Sequence, residues 1–375
     1  MKRPQIKFVN ADKSKFFPTL RERIDAHFVA TGRSRYGNSV MIGKAVSMLL
    51  LFLIPYGLIL SNQFTARQML GLVVIMGIGK AGVGMAVMHD ANHGSFSEKT
   101  WVNNLFGACL FLLGGNVKNW KTQHNTLHHT YTNIHEHDED ITGKPWLRLC
   151  PSETLKPYHR FQHIYAFGLY GLMTFSFLAK DFRLAMSYNR QHAAGNKTVD
   201  QFTRKDMNVL IVSKIVYLTF IAVIPLLATD LNFGQWLLGF IILHFVAGLI
   251  LSIIFQLAHI VEGANQPVPC QAGTVQNAWA IHQMHTTANF TCPRWLSWYI
   301  GGLDYQVEHH LFPTVSHIHY PALSAIVRQT ANEFGVPYNQ KPSFGEALES
   351  HIRVLRTLGN SYAPIPVLVE EELVH

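Results

Sequence analysis

Residues 70–93 read LGLVVIMGIGKAGVGMAVMHDANH. From 70 to 88 the run is apolar or glycine except for Lys80, about the 20 residues a helix needs to cross a hydrocarbon core of about 30 Å. The run ends directly in His89-Asp90-Ala91-Asn92-His93, a pair spaced so that one helical turn puts both imidazoles on one face. A membrane span that delivers a histidine pair to its end predicts metal at the edge of a bilayer, and the rest of the chain can be read outward from that junction.

The 375 residues are 48% hydrophobic and only 14% charged, too apolar for an ordinary soluble domain. Four windows reach spanning length, 40–60, 70–88, 207–228 and 236–258, and predict an all-α integral membrane protein with two transmembrane hairpins under a cytoplasmic helical cap. No cleavable leader is expected, because 1–39 is polar and basic and the first apolar run is as long as a true span. Nine Lys and Arg precede residue 40, thirteen lie between Glu98 and Lys205 and five follow Ala258, whereas the two predicted outer loops hold only Arg67. This asymmetry predicts that both termini are cytoplasmic. The expected organisation is a basic juxtamembrane segment at 1–39, a membrane domain at 40–319 and a helical tail at 320–375.

A helix over 18–29 is expected to rest on the membrane surface. The apolar stretches 101–113 and 161–179 are read as interfacial or re-entrant helices. Lys80 and His244 fall inside predicted spans, where each is either a local polar contact or a group near the substrate. Basic residues are scattered without a recognition motif, so nucleic acid is not an expected partner; the net charge of +8 suits anionic lipid or an acidic protein. Cys109, Cys150, Cys270 and Cys292 form no CxxC pair, which argues against a thiolate metal site.

Two further histidine clusters repeat the first. His124-Asn-Thr-Leu-His128-His129 adds an adjacent ring turned by about 100° on an α-helix. Gln306-Val-Glu-His309-His310 places glutamine at the head of the third cluster, and His259 ends the fourth span on the predicted side of the others. Random histidines would not respect a topology inferred from Lys and Arg alone, so a shared two-metal site is expected. Imidazole-rich, carboxylate-poor donors do not resemble a structural zinc site or a carboxylate-bridged bundle, and a redox-active di-iron centre fits better. His135 and His137, beside Asp138, Glu139 and Asp140, are read as a polar mouth to the site rather than as ligands.

The order HxxxH, HxxxHH, QxxHH around two apolar hairpins resembles the membrane fatty acid desaturases, and the glutamine resembles their front-end subgroup. The resemblance runs from about His89 to His310. It implies two iron ions held by His89, His93, His124, His128, His129, His259, His309 and His310, with Gln306 as a ligand or an orienting group. Asp90, Asn92, Asp304 and Glu308 become candidates to orient imidazoles, and His282, His285 and Asn289 to line the substrate site. It also implies O2 as co-substrate and a fatty acyl chain, CoA- or lipid-linked, as substrate. The His-Pro-Gly-Gly haem motif of fused cytochrome b5 domains does not occur, so a separate donor is expected, ferredoxin-like or cytochrome b5, and a bacterial inner membrane is the expected location. The boxes alone leave an acyl or alkane hydroxylase open. A metal transporter or sensor would instead line a path through the bilayer with its histidines.

Overall fold

The computed structural model describes residues 6–10, 13–270 and 273–360. Its main helices are α1 (Phe16–Thr31), α2 (Ser39–Leu60), α3 (Ala66–His93), α4 (Thr100–Leu113), α5 (Lys121–His128), α6 (Gln162–Tyr170), α7 (Met173–Ala193), α8 (Arg204–Ala228), α9 (Phe233–His259), α10 (Trp279–Thr286), α11 (Gln306–Leu311), α12 (Tyr320–Glu333) and α13 (Phe344–Asn360). Two parallel pairs of two-residue strands, Lys7–Phe8 with Thr274–Val275 and Asn289–Phe290 with Gln340–Lys341, tie distant segments together.

Four helices, α2, α3, α8 and α9, are long and apolar enough to cross a membrane. Each start is fixed locally: Asn38 caps α2, and Thr65 with Gln68, Thr203 with Asp206, and Asn232 with Gln235 form reciprocal capping boxes. The central helix is α3, packed between α2 and α9. Its glycines explain that position. A Cβ on Gly79 would lie 2.6 Å from Phe52 N of α2, and one on Gly77 2.8 Å from the Val246 Cβ of α9. Small residues on two faces let two neighbours approach closely where lipid supplies no hydrophobic drive to associate. In contrast, α8 stands at the margin, meeting α9 and α2 near one end and α4 and α7 near the other.

Lys80 and His244 make local polar contacts. Lys80 Nζ donates to Tyr217 OH at 2.9 Å, Tyr217 OH lies 2.7 Å from His244 Nε2, and His244 Nδ1 lies 2.8 Å from Thr174 Oγ1. The chain joins α3, α8, α9 and α7 inside the apolar bundle, where unpartnered polar groups would be costly. The stretch expected over 161–179 is two helices, α6 and α7, broken at Gly171, whose carbonyl fits against Gly248 of α9.

The helix expected on the membrane surface packs elsewhere. Phe16, Leu20, Ile24 and Phe28 of α1 form an i, i+4 stripe buried with Leu323, Val327 and Ala331 of α12, and Arg23 Nη2 pairs with Glu333 Oε2 at 2.6 Å. An amphipathic period shows that a helix has an apolar face, not what covers it. The tail is also two helices, α12 and α13, rather than one run, and 361–375 lies outside the described residues.

Candidate metal centre

Each histidine cluster sits on a helix whose backbone sets its aim. The first closes α3, after a π-helical turn at Gly84–Met88 and before the left-handed Gly94 (φ 78°) that ends the helix. The second cluster departs from the expected α-helical geometry, because α5 is π-helical from Lys121 to His128. In a π-helix residue i bonds to i+5, so His129, not His128, comes to stand over His124. Accordingly His124 Nε2 lies 3.3 Å from His129 Nε2 and 3.2 Å from His89 Nε2, while His128 turns away toward Asp138. The third cluster lies on α11, where the adjacent rings of His309 and His310 are nearly perpendicular.

The rings gather into two neighbouring lobes. His89, His93, His124 and His309 bring one nitrogen each within 4.8 Å of one another, and His128, His259 and His310 do the same. His129 groups with both His309 and His310 and so lies between the lobes. All eight histidines of the expected ligand set meet here.

Their hydrogen bonding suits metal ligands. His128 Nδ1 lies 3.0 Å from Asp138 Oδ2, His310 Nδ1 2.8 Å from Gln283 Oε1, His309 Nδ1 3.2 Å from Tyr320 OH and His259 Nδ1 3.4 Å from Thr286 O. The Nε2 atoms of these four rings, and of His93, are buried without a hydrogen-bond partner among the described residues. A ring anchored at one nitrogen with a buried lone pair on the other is the arrangement of a metal-bound histidine, and unpaired it would be a desolvation cost without return. Burial, reinforced by the neighbouring rings, holds His124, His129, His309 and His310 well below the usual imidazole pKa, so they stand neutral and able to coordinate. For His128 burial acts the same way, but the Asp138 carboxylate outweighs it and the pKa is raised.

The other expected site residues divide. Asp90 accepts from Ser316 Oγ at 3.0 Å and the His317 backbone N–H at 3.2 Å, tying the first cluster to the segment after α11; its contact with His89 Nδ1 is 4.0 Å. Glu308 turns from the rings to Asn289 Nδ2 and Tyr338 OH, both at 2.8 Å, and burial pushes its carboxyl up to about 7. Asn289 also accepts from the Val307 N–H at 2.8 Å, so it fixes the start of α11. Asn92 donates to Gly107 O and Asp304 accepts from Ser297 Oγ, so neither bonds an imidazole. Gln306 is buried one turn before His309 and His310. His282 is buried against Phe8, and the His285 carbonyl accepts from the Asn265 N–H. Gln283, Tyr320 and Thr132 carry no motif signal in the sequence, and Asp138, expected in a polar mouth, instead holds His128; the carboxylate-rich run 138–140 is the signal in the sequence for a charged partner of the second cluster.

The profile of the fatty acid desaturase family matches residues 66–342, which include every one of these histidines. The chain belongs to the fatty acid desaturase family. It is similar over 95% of its length to the sn-1 linoleoyl-lipid 6-desaturase of Synechocystis sp., at 32% identity and across 98% of that protein. It is 31% identical over 96% of its length to an acyl-lipid (8-3)-desaturase of Physcomitrium patens, covering 74% of it, and 32% identical over 94% to Delta(5) fatty acid desaturase A of Dictyostelium discoideum, covering 76%. The protein is therefore an oxidoreductase that desaturates acyl chains, with a donor set suited to metal and four helices able to span a membrane.

Proposed function

We propose that this desaturase is a front-end acyl-lipid desaturase that uses O2 at a di-iron centre, with one iron held by His89, His93, His124 and His309, the other by His128, His259 and His310, and His129 between them. The observation that carries the reading is the set of buried Nε2 atoms, unpartnered among the described residues, on rings anchored at Nδ1. Nitrogen-rich donors suit a redox-active iron, which when bound supplies O2 activation and hydrogen removal from a methylene. The protein's own residues do the rest. Asp138, Gln283, Tyr320 and the Thr286 carbonyl fix ring orientation, and the neutral state of His124, His129, His309 and His310 keeps their lone pairs available. The relatives that act on linoleoyl-lipid at position 6, and those named Delta(5) and (8-3), support a carbon near the carboxyl end and a lipid-linked chain.

The same reading places α2 with α3 and α8 with α9 as two hairpins below a cytoplasmic cap formed by α1 and α10–α13, with both termini cytoplasmic, as the distribution of Lys and Arg supports. Electrons come from a separate donor, a ferredoxin-like protein or cytochrome b5, drawn to a basic face. A bacterial inner membrane is the location proposed. The test is fatty-acid analysis of a desaturase-poor host expressing the chain and fed linoleate, beside His128→Ala. The expected result is a new double bond on the carboxyl side of the existing ones, absent from the variant. A hydroxylated product, or a bond on the methyl side, would overturn the proposal.

A further inference from the structure

The marginal position of α8 leaves a groove of about 650 Å³ between it and the end of α4. Its wall is apolar, with Phe111 and Leu112 on one side and Val209, Val212, Val216 and Phe220 on the other. The three valines are 45%, 56% and 60% exposed. From Val209 to Phe220 the helical rise gives about 16 Å, close to the thickness of one leaflet of a core of about 30 Å. The inner end is closed by Phe220 and by Tyr217, whose hydroxyl is held by Lys80 and His244.

The other end is cationic. Lys205 and Asn208 stand at its lip, and a second cavity of about 340 Å³ joins it through the shared residues Phe111 and Val209 and adds Lys118 and Lys121. Lys118 is already committed, 2.6 Å from Asp206 Oδ2. Among the described residues Lys121 and Lys205 have no hydrogen bond or ion pair, and against them the lip sets the single exposed carboxylate of Asp200. A slot one leaflet deep, apolar within and carrying two uncommitted ammonium groups at the head-group level, matches a phosphate-bearing lipid.

We propose that this groove docks one acyl chain of a membrane phospholipid, with the phosphate at Lys121 and Lys205 and the chain along Val209, Val212 and Val216. The inference rests on the reading of the protein as an acyl-lipid desaturase, since it supplies that enzyme's substrate directly from the bilayer. Lys121 lies three residues before His124 on α5. A lipid held there therefore presents its ester end nearest the metal centre, the end at which a front-end enzyme works.

The test uses the full-length, metal-loaded protein in phosphatidylglycerol vesicles containing a phosphatidylglycerol with a photoactivatable group on its acyl chain, with adducts mapped by peptide mass spectrometry. Adducts are expected to concentrate at 209–216 and 111–112. They should fall several-fold in Val212→Trp, which fills the slot, and in Lys205→Glu, while background adducts on the lipid-facing Ile42 and Val46 of α2 stay constant and report an intact fold. Unlabelled phosphatidylglycerol should compete better than neutral diacylglycerol. Adducts spread as evenly over α2 as over α8, or equal competition by diacylglycerol, would mean ordinary boundary lipid and would falsify the proposal. Photolabelling needs no turnover, so a chain that labels at the groove without making a double bond would refute the activity and not the groove.

Discussion

The two lobes of the histidine centre are built on different principles. In the lobe of His128, His259 and His310, every ring is sealed from solvent and anchored at Nδ1 by a group outside the cluster: Asp138, the Thr286 carbonyl and Gln283. In the lobe of His89, His93, His124 and His309, only His309 among the described residues has such an anchor within hydrogen-bond distance, Tyr320 at 3.2 Å, while Asp90 stands 4.0 Å from His89 Nδ1. There His89 and His124 approach each other directly at 3.2 Å, and His93 is partly exposed. The first arrangement is held by the scaffold and the second by the metal it would bind. One lobe should therefore keep its shape when empty, and the other should depend on occupancy.

Acid gives the largest expected effect. Folding holds His124, His129, His309 and His310 well below the ordinary value of 6.5, so the unfolded chain binds more protons as pH falls below 6.5. Their contribution to stability is complete above 6.5 and drains away below it, as far as their folded pKa values. His128, raised by Asp138, has the opposite sign: its contribution is present below 6.5 and lost as pH rises through its folded value. Thermal stability of the metal-free protein should thus weaken from pH 7 to 5, and Asp138→Asn should steepen that fall. An unchanged or shallower slope in the variant would break the contrast.

Next in size, Asp138→Asn should lower metal affinity about 10- to 100-fold, the usual cost of losing a partner that orients a ligand. Metal titration should show one of two equivalents weakened, and equal weakening of both would show that the lobes are not separable. Gln283→Leu removes an acceptor from His310 and from Thr132 and a donor to the His129 carbonyl, leaving buried partners unpaired at about 1–3 kcal/mol each. It should lower the unfolding midpoint of the metal-free protein more than that of the loaded one. Tyr320→Phe should be mildest, about 1 kcal/mol for a single neutral hydrogen bond, read as a change of several-fold in affinity at the other equivalent.

The four apolar helices and the three boxes were legible because each is a local pattern: an apolar run of a given length, or imidazoles at a given spacing. What escaped was relational. The π-helical register of α5 depends on backbone bonding that His124, His128 and His129 do not announce by type, and it decides which ring serves which lobe. Gln283 and Tyr320 act on His310 and His309 from 27 and 11 residues away. The apolar stripe of α1 was readable, but its cover, α12, begins some 300 residues later. Asn92 and Asp304 stood next to the boxes in sequence yet bond elsewhere, since proximity along a chain does not fix the direction of a side chain.

His309 and His310 are neighbours on α11, yet one completes each lobe. On the ribosome, then, neither half of the centre exists until nearly the last sixth of the chain is being made. A single peptide unit supplies the final donor to both. A nascent chain that stalls or is truncated before that unit therefore lacks the last histidine of either lobe.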